Sequence, residues 1–359
     1  MTDTPVASSA PGKVILIGEY AVLEGGAAYV RAVDVRARVR IEPRPEGFLL
    51  EAPDVNAPTV DFSLDPNGSV IWGRPDHAPD PVPAELGLAG VVLSEAFAGV
   101  SLRSPCRIRL DTSEFFSATA RGARGKLGLG SSAALTVALY AAVLRWAQPE
   151  ERPVSRPDGM LVRLQTLHRN HQQGRGSGLD IAASLHGGTF VYRRGRLEPE
   201  LVPLALPSGL ELLCVWSGQS ASTGGFLERL AGWRRRNEQA HARYMRELSE
   251  IAERGIEAAA SGDAQGFCTA LREYTRSLDN LGAATSLPIV SPVHRRIERL
   301  AAKRGLTYKP SGAGGGDIGI ALADDTRAAQ RFREDLRDEG FLVLTCPEAA
   351  EGLRYEPQT

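Results

Sequence analysis

Between Lys126 and Tyr140 the chain reads Lys-Leu-Gly-Leu-Gly-Ser-Ser-Ala-Ala-Leu-Thr-Val-Ala-Leu-Tyr, a glycine-rich turn joined without a spacer to an apolar helix. No other stretch limits the fold as strongly. Gly128 and Gly130 lack a Cβ and tolerate positive φ, so backbone N–H groups there can close on an anion. Ser131 and Ser132 then open a helix whose free N–H groups point the same way, and their hydroxyls suit a cap or a metal ligand. From Ala133 to Trp146 nearly every residue is apolar on all faces, which predicts a buried helix. A buried helix with a polar, glycine-led start must aim that start at a ligand.

If the ligand is a phosphate, the attraction has to be local, because the formal net charge of −1 supplies no global field for nucleic acid or an anionic membrane. With 359 residues and 43% apolar content the chain can bury two cores. Cys106, Cys214, Cys268 and Cys346 are scattered and form no C-x-x-C, so neither a disulfide framework nor a zinc site is signalled. Met1 to Ala10 lacks a signal pattern, and no apolar run approaches the ~20 residues that span a bilayer. The expectation is a reduced, cytoplasmic protein acting on a small molecule as a monomer or homodimer, without nucleic-acid or membrane partners.

Only four of the 42 Lys and Arg residues are lysine (Lys13, Lys126, Lys303, Lys309), so arginine serves wherever a generic positive charge will do. Lys13, Lys126 and Lys309 stand in glycine-containing segments, where a compact ammonium on a flexible stem suits a phosphate point contact.

Val14 to Ile17 reads as a buried strand bounded by glycines, with Lys13 at its entrance and Glu19-Tyr20 past its exit. Taken alone, that lysine and glutamate are more simply solvated charges beside turns. Tyr29 to Glu42 continues as a strand with one wet face, and Phe48 to Ala52 reads as its hairpin partner. Residues 53–88 predict an irregular excursion, Leu86 to Phe97 a short helix, Ser104 to Thr112 a strand, and Phe115 to Gly125 a loop. Met160 to Asn170 is helical. Asp180 follows Ser177-Gly178 and precedes an apolar run, a setting in which a carboxylate caps a helix start, and by itself capping is the simpler account. Thr189 to Arg193 is a strand. After a Pro-containing link, Leu210 to Trp216 is a strand, and the polar tract from Ser217 leads into a long helix reaching about residue 260. Helices over Ala264 to Leu281 and Pro292 to Lys303 follow, then a second glycine-rich loop from Lys309 running into a strand, and a final strand from Phe341 to Thr345.

Gly128-Leu-Gly-Ser-Ser-Ala fits the letters of a dinucleotide fingerprint, but Arg121-Gly-Ala-Arg-Gly-Lys before it is no buried strand, so the context is wrong. A Walker loop is excluded because Gly12-Lys13 runs into Val14. What remains is a different phosphate cradle. Pro11-Gly-Lys-Val-Ile-Leu-Ile-Gly-Glu-Tyr, Gly128-Leu-Gly-Ser-Ser-Ala-Ala and Ser311-Gly-Ala-Gly-Gly-Gly-Asp, in that order and spacing, resemble the three motifs of the GHMP kinases. The resemblance runs from near the start of the chain to near its end.

The resemblance implies an α+β, two-domain GHMP kinase fold: a ribosomal-S5-like α/β domain over residues 1–205 and a ferredoxin-like α+β domain over 206–359, with ATP in the cleft between them. It implies that Lys126, Gly128, Leu129, Gly130, Ser131, Ser132 and Ala133 hold the nucleotide, with Mg2+ near Ser131 or Ser132. Asp180 would accept a proton from the acceptor oxygen or orient it, and Lys13 would neutralise the transferring group. Glu19, Tyr20, Arg175, Ser177, Gly178, Ser220, Ser222, Lys309 and Gly314 become candidates for binding the second substrate. Glu19-Tyr20, Lys126-Leu127, Trp216-Ser-Gly-Gln-Ser-Ala-Ser-Thr and above all Lys309-Pro-Ser-Gly-Ala-Gly-Gly-Gly-Asp resemble the branch of the family that phosphorylates 5-phosphomevalonate, with mevalonate as the alternative acceptor. One departure stands out: where mevalonate-phosphorylating members carry a metal-binding glutamate, His168-Arg-Asn-His-Gln-Gln offers none. A catalytically silent small-molecule sensor on the same fold is the reading from another class, and the joint retention of Lys13, Ser131 and Asp180 argues against it.

Overall fold

The chain is described by a computed structural model over residues 4–55, 59–73, 84–98, 104–118, 124–148, 158–174, 176–221 and 223–357. Its first unit is built on β1 (Val6–Ile17) and β2 (Ala28–Pro43), which run antiparallel from Val6 opposite Ile41 to Ile17 opposite Tyr29. β3 (Phe48–Glu51), β4 (Val60–Leu64), β5 (Val70–Trp72) and β6 (Cys106–Asp111) extend the sheet on one side of β2. The short hairpin β7 (Phe116–Ala118) and β8 (Arg124–Lys126) leads into the glycine-rich turn. Four helices, α1 (Gly87–Phe97), α2 (Ser131–Ala147), α3 (Asp158–His171) and α4 (Leu179–His186), precede β9 (Thr189–Arg193), which pairs with the start of β2 on the edge opposite β1, and β10 (Glu200–Pro203), which pairs with β9.

Three expectations are corrected here. Phe48 to Ala52 does not fold back on β2, because β6 occupies that edge: Val39 lies opposite Leu110 and Ile41 opposite Ile108, all buried, so two alternating strands match apolar face to apolar face. β3 pairs instead in parallel with β6. The stretch 53–88 contains β4 and β5, held by Phe62 opposite Phe48 and Trp72, with ring centroids 5.4 and 6.2 Å apart. Within the loop expected over Phe115 to Gly125, 116–118 and 124–125 are paired strand residues of β7 and β8, and 119–123 lie outside the described residues.

The second unit contains β11 (Glu211–Trp216), α5 (Thr223–Arg234), α6 (Glu238–Ala260), α7 (Ala264–Thr285), α8 (Pro292–Lys303), β12 (Thr307–Pro310), β13 (Ile318–Ala323), α9 (Thr326–Asp338) and β14 (Leu342–Leu344). The strands form an antiparallel sheet in the order β12-β13-β11-β14. Alternation along β11 sorts the two cores: Leu213 and Val215 pack with Ile297 and Phe332 from α8 and α9, while Cys214 and Trp216 belong with Leu248 and Phe267 from α6 and α7. The long helix expected from Ser217 is two helices. Their break follows Arg234, where the Asn237 side-chain amide donates to the Trp233 carbonyl at 3.0 Å and draws that group out of the helical ladder.

A single core joins the units. Val14, Leu16, Ile17 and Tyr29 of the first sheet pack in the same cluster as Leu248, Phe267 and Tyr274, and the Tyr29 and Phe267 rings meet edge-on at 5.8 Å. The end of the chain also crosses between them: β15 (Arg354–Tyr355) pairs with β1, and Ala349 exchanges backbone hydrogen bonds with Ala32 and Gly188. A division at residue 205 thus leaves a tail of the second segment in the first sheet. Among the described residues no helix is long and apolar enough to cross a membrane.

Candidate active site

β1 and the glycine-rich turn are stitched together at Lys13, whose N–H donates to the Leu129 carbonyl at 2.8 Å. Gly12 permits that approach, since a Cβ on it would lie 2.6 Å from the same carbonyl oxygen. Gly128 and Gly130 both take positive φ, 82° and 84°, and α2 begins at the next residue. The turn therefore delivers the helix N-terminus to a cavity of about 380 Å³ between the two units.

Lys126, Gly128, Gly130 and Ser132 line this cavity, whereas Leu129, Ser131 and Ala133 are buried off its wall. Of the two serines considered for metal, Ser132 alone reaches the wall; its Oγ lies 3.2 Å from His168 Nε2. Lys126 keeps an exposed side chain at the mouth, and the protein mass around it lowers its pKa, with Asp317 opposing the shift.

Asp180 lines the cavity from the first turn of α4, after Gly178 at φ 85°. Ser177 shares that wall, whereas Gly178 is structural: a Cβ there would sit 2.9 Å from the Gln165 side-chain amide. Lys13 is buried and lines the same cavity. His168 is buried behind Ser132, and desolvation lowers its pKa while Asp180 raises it. Sequence reasoning did not single out His168 as a site residue; it stands in the stretch noted above for lacking an acid.

The first and third motifs close the far end. Tyr20 adopts φ 64°, held by its hydroxyl, which donates to the Ala313 carbonyl at 2.6 Å. Ser311 Oγ accepts from Ile15 N–H at 2.8 Å and donates to the Ile15 carbonyl at 3.0 Å. Glu19 lines the cavity, and its Oε1 is paired with the Lys309 ammonium.

Five substrate-binding expectations need revision or lie out of view. Lys309 does not reach the cavity: it is fully buried, with its ammonium shared between Glu19 and the Pro310 carbonyl, because an arginine-rich chain still needs one compact cation to neutralise that acid. Gly314 is a packing position, where a Cβ would lie 2.3 Å from the Ile289 carbonyl oxygen. Ser220 is off the wall and clips the units together, accepting from Lys126 N–H at 2.9 Å and donating to the Lys126 carbonyl at 3.1 Å. Arg175 and Ser222 fall outside the described residues.

His294 braces the third loop from behind. Its Nε2 meets the Gly316 carbonyl at 2.9 Å, so that nitrogen carries the proton, and Nδ1 accepts from the Tyr308 hydroxyl at 2.7 Å. Burial lowers its pKa from 6.5 to about 4, with Lys309 adding to the effect and the Gly316 carbonyl opposing it. Between those pH values the unfolded chain binds more protons than the native one, so stability is full above pH 6.5 and is lost as pH falls toward 4, by about 3 kcal/mol from this group. Urea melts at pH 7 and pH 5 should show a shallower pH dependence in His294→Gln than in the natural protein; equal slopes would remove His294 from that role.

Residues 107–188 match the GHMP kinases N terminal domain and residues 256–341 the GHMP kinases C terminal domain. A phosphomevalonate kinase from Streptomyces sp. strain CL190 is 30% identical over 382 residues, covering 96% of this chain and 97% of that protein. A mevalonate kinase from Aeropyrum pernix is 29% identical over 349 residues, with 97% and 98% covered. Among solved structures, Streptococcus pneumoniae phosphomevalonate kinase in complex with phosphomevalonate and AMPPNP superposes with a TM-score of 0.74 at 18% identity, over 95% of this chain and 99% of that one.

Proposed function

Because the chain belongs to the GHMP kinase family, we propose that it transfers the γ-phosphoryl group of ATP to the phosphate of 5-phosphomevalonate, giving 5-diphosphomevalonate and ADP. One observation carries this reading: all three glycine-containing motifs converge on a single cavity that also presents Lys13 and Asp180. In phosphoryl transfer the protein contributes positioning and charge neutralisation more than covalent chemistry. Backbone N–H groups of the turn and the N-terminus of α2 bind the nucleotide phosphates. Lys13 compensates charge on the group in flight, and Asp180 orients the acceptor oxygen, which is already anionic in a phosphate. With mevalonate the acceptor is a hydroxyl, and Asp180 has to take its proton as the new P–O bond forms.

The cradle fits a magnesium nucleotide, because Gly128 and Gly130 present backbone without a Cβ to the cavity and Ser132 offers a hydroxyl on the same wall. When bound, Mg2+ supplies charge neutralisation across the β- and γ-phosphates.

The acceptor is chosen on two supports. The Streptomyces relative is named for phosphomevalonate, and Lys309 cancels the charge of Glu19 from behind, so that an anionic acceptor is not repelled at that end. Similar identity to an archaeal mevalonate kinase favours mevalonate as the second reading. ADP release by the purified protein, offered each compound separately with ATP, decides between them. Release is expected with 5-phosphomevalonate; turnover with mevalonate alone would reverse the choice, and none with either would favour the silent sensor.

A further inference from the structure

Asp317 ends the third motif in a manner that the transfer step does not require. It is a non-glycine residue at φ 55°, fixed by three hydrogen bonds: its N–H donates to the Gln219 carbonyl at 2.6 Å, its carbonyl accepts from Ser217 N–H at 2.9 Å, and Oδ1 accepts from Ala221 N–H at 3.0 Å. This scaffold drives the carboxylate against the nucleotide turn, where a Cβ on Gly128 would lie 2.3 Å from Asp317 Cβ and 2.8 Å from Oδ2. Asp317 also lines the cavity. Burial raises its pKa, opposed by the Ala221 N–H, Lys126 and Lys13.

A carboxylate built into the wall of a phosphate cradle repels the ligand unless a cation lies between them. Magnesium is held by one or two carboxylates together with substrate phosphates and water, and seldom by a protein cage. Among the described residues there is no cluster of three His, Cys, Asp or Glu groups that would retain a metal alone, as suits a cation arriving with its nucleotide. Glu19 is engaged by Lys309, Asp180 is given to the acceptor in the reading above, and α3 with the residue after it brings His168 and Gln172 toward Ser132 and the cavity, with no acid among them.

We propose that Asp317 is the protein carboxylate that holds the divalent cation of the bound nucleotide, so that the metal complex is gripped from the second domain. This rests on the turn at Gly128 binding a nucleotide. The test is the binding of ADP and Mn2+ to the full chain. Asn tolerates positive φ and keeps an oxygen for Ala221 N–H, so Asp317→Asn preserves the scaffold. With ADP saturating, the variant should bind Mn2+ at least about tenfold more weakly by electron paramagnetic resonance. Metal-free ADP, measured calorimetrically in EDTA, should bind the variant at least as tightly as the natural protein. These opposite signs cannot come from a damaged fold. Unchanged Mn2+ affinity, or parallel loss of metal-free and metal-loaded ADP, overturns the assignment. In protein labelled with 13C at aspartate carboxyls, bound Mn2+ should show a carbon coupling that survives in Asp180→Asn. Absence of that coupling in the natural protein overturns the assignment even if Asp317→Asn does not fold. Failure of ADP to bind at all would instead sink the nucleotide reading, and this one with it.

Discussion

Replacing Asp180 by asparagine is expected to lower kcat about a hundredfold or more while leaving KM for both substrates within about threefold. The reasoning starts from where the residue stands. Asp180 occupies the first turn of α4 and faces the cavity, so it has two available occupations, compensating a helix start and acting on an acceptor. Asparagine keeps the size and the hydrogen-bonding oxygen, so the helix loses no more than about 1 kcal/mol. It removes the negative charge and the capacity to take a proton. A stable variant with depressed turnover therefore assigns Asp180 to the reaction, and near-normal turnover assigns it to the helix. The size of the loss carries further information. With a hydroxyl acceptor the missing base costs up to about ten-thousand-fold, whereas an anionic phosphate acceptor needs orientation more than deprotonation. Steady-state kinetics with the preferred acceptor, together with thermal melting of the variant, supply both readings.

The second large effect is on stability. Lys309→Met should destabilise the protein by about 3–5 kcal/mol, because it leaves Glu19 as a buried, uncompensated charge. Both side chains are almost wholly enclosed, at 0% and 2% exposure, and they come from opposite units. One oxygen of Glu19, Oε2, already lacks a hydrogen-bond partner, so the acid has little else to fall back on. The pair itself is a weaker source of stability than its single-residue deletions suggest, because both charges were desolvated to make it. Combining Glu19→Gln with Lys309→Met should accordingly recover much of the loss. Urea melts of the two single variants and the double variant form the cycle; a double variant as unstable as the sum of the singles would show that the two residues act independently.

The glycine-rich turn and the helix start at the cavity were legible because their rules are local. Gly128, Gly130 and Ser132 act through backbone conformation and the start of a helix, which neighbouring residues dictate. Lys13 and Asp180 were open to bland explanations as single residues and became interpretable only through the resemblance of three motifs. The substrate end was harder. Lys309 was correctly singled out as unusual, yet its part was misread: a lysine in a glycine-containing loop suggests a phosphate contact, and only the fold reveals that its partner is Glu19, 290 positions away. Ser220 and Gly314 were likewise drawn in by motif membership, and their neighbours Lys126 and Ile289 account for them as clip and packing. Asp317 was in view as the last residue of a motif, without a sign that its carboxylate would rest on Gly128.

The sheet shows the same division. Alternation foresaw β2 and β6 as half-buried strands, but not that β6 would displace β3 from the edge of β2, since several pairings satisfy the same periodicity. By itself, then, the sequence determined the glycine-rich turn, the buried helix behind it, the major strands and the family, all of which rest on backbone chemistry and short-range spacing. Tertiary structure alone decided strand order, the return of the C-terminal tail to the first sheet, the enclosure of Lys309 with Glu19, and the placing of Asp317 against Gly128. Each of these joins residues far apart in the chain, and which distant groups meet is fixed by the packing of whole elements, a property that no local window of sequence contains.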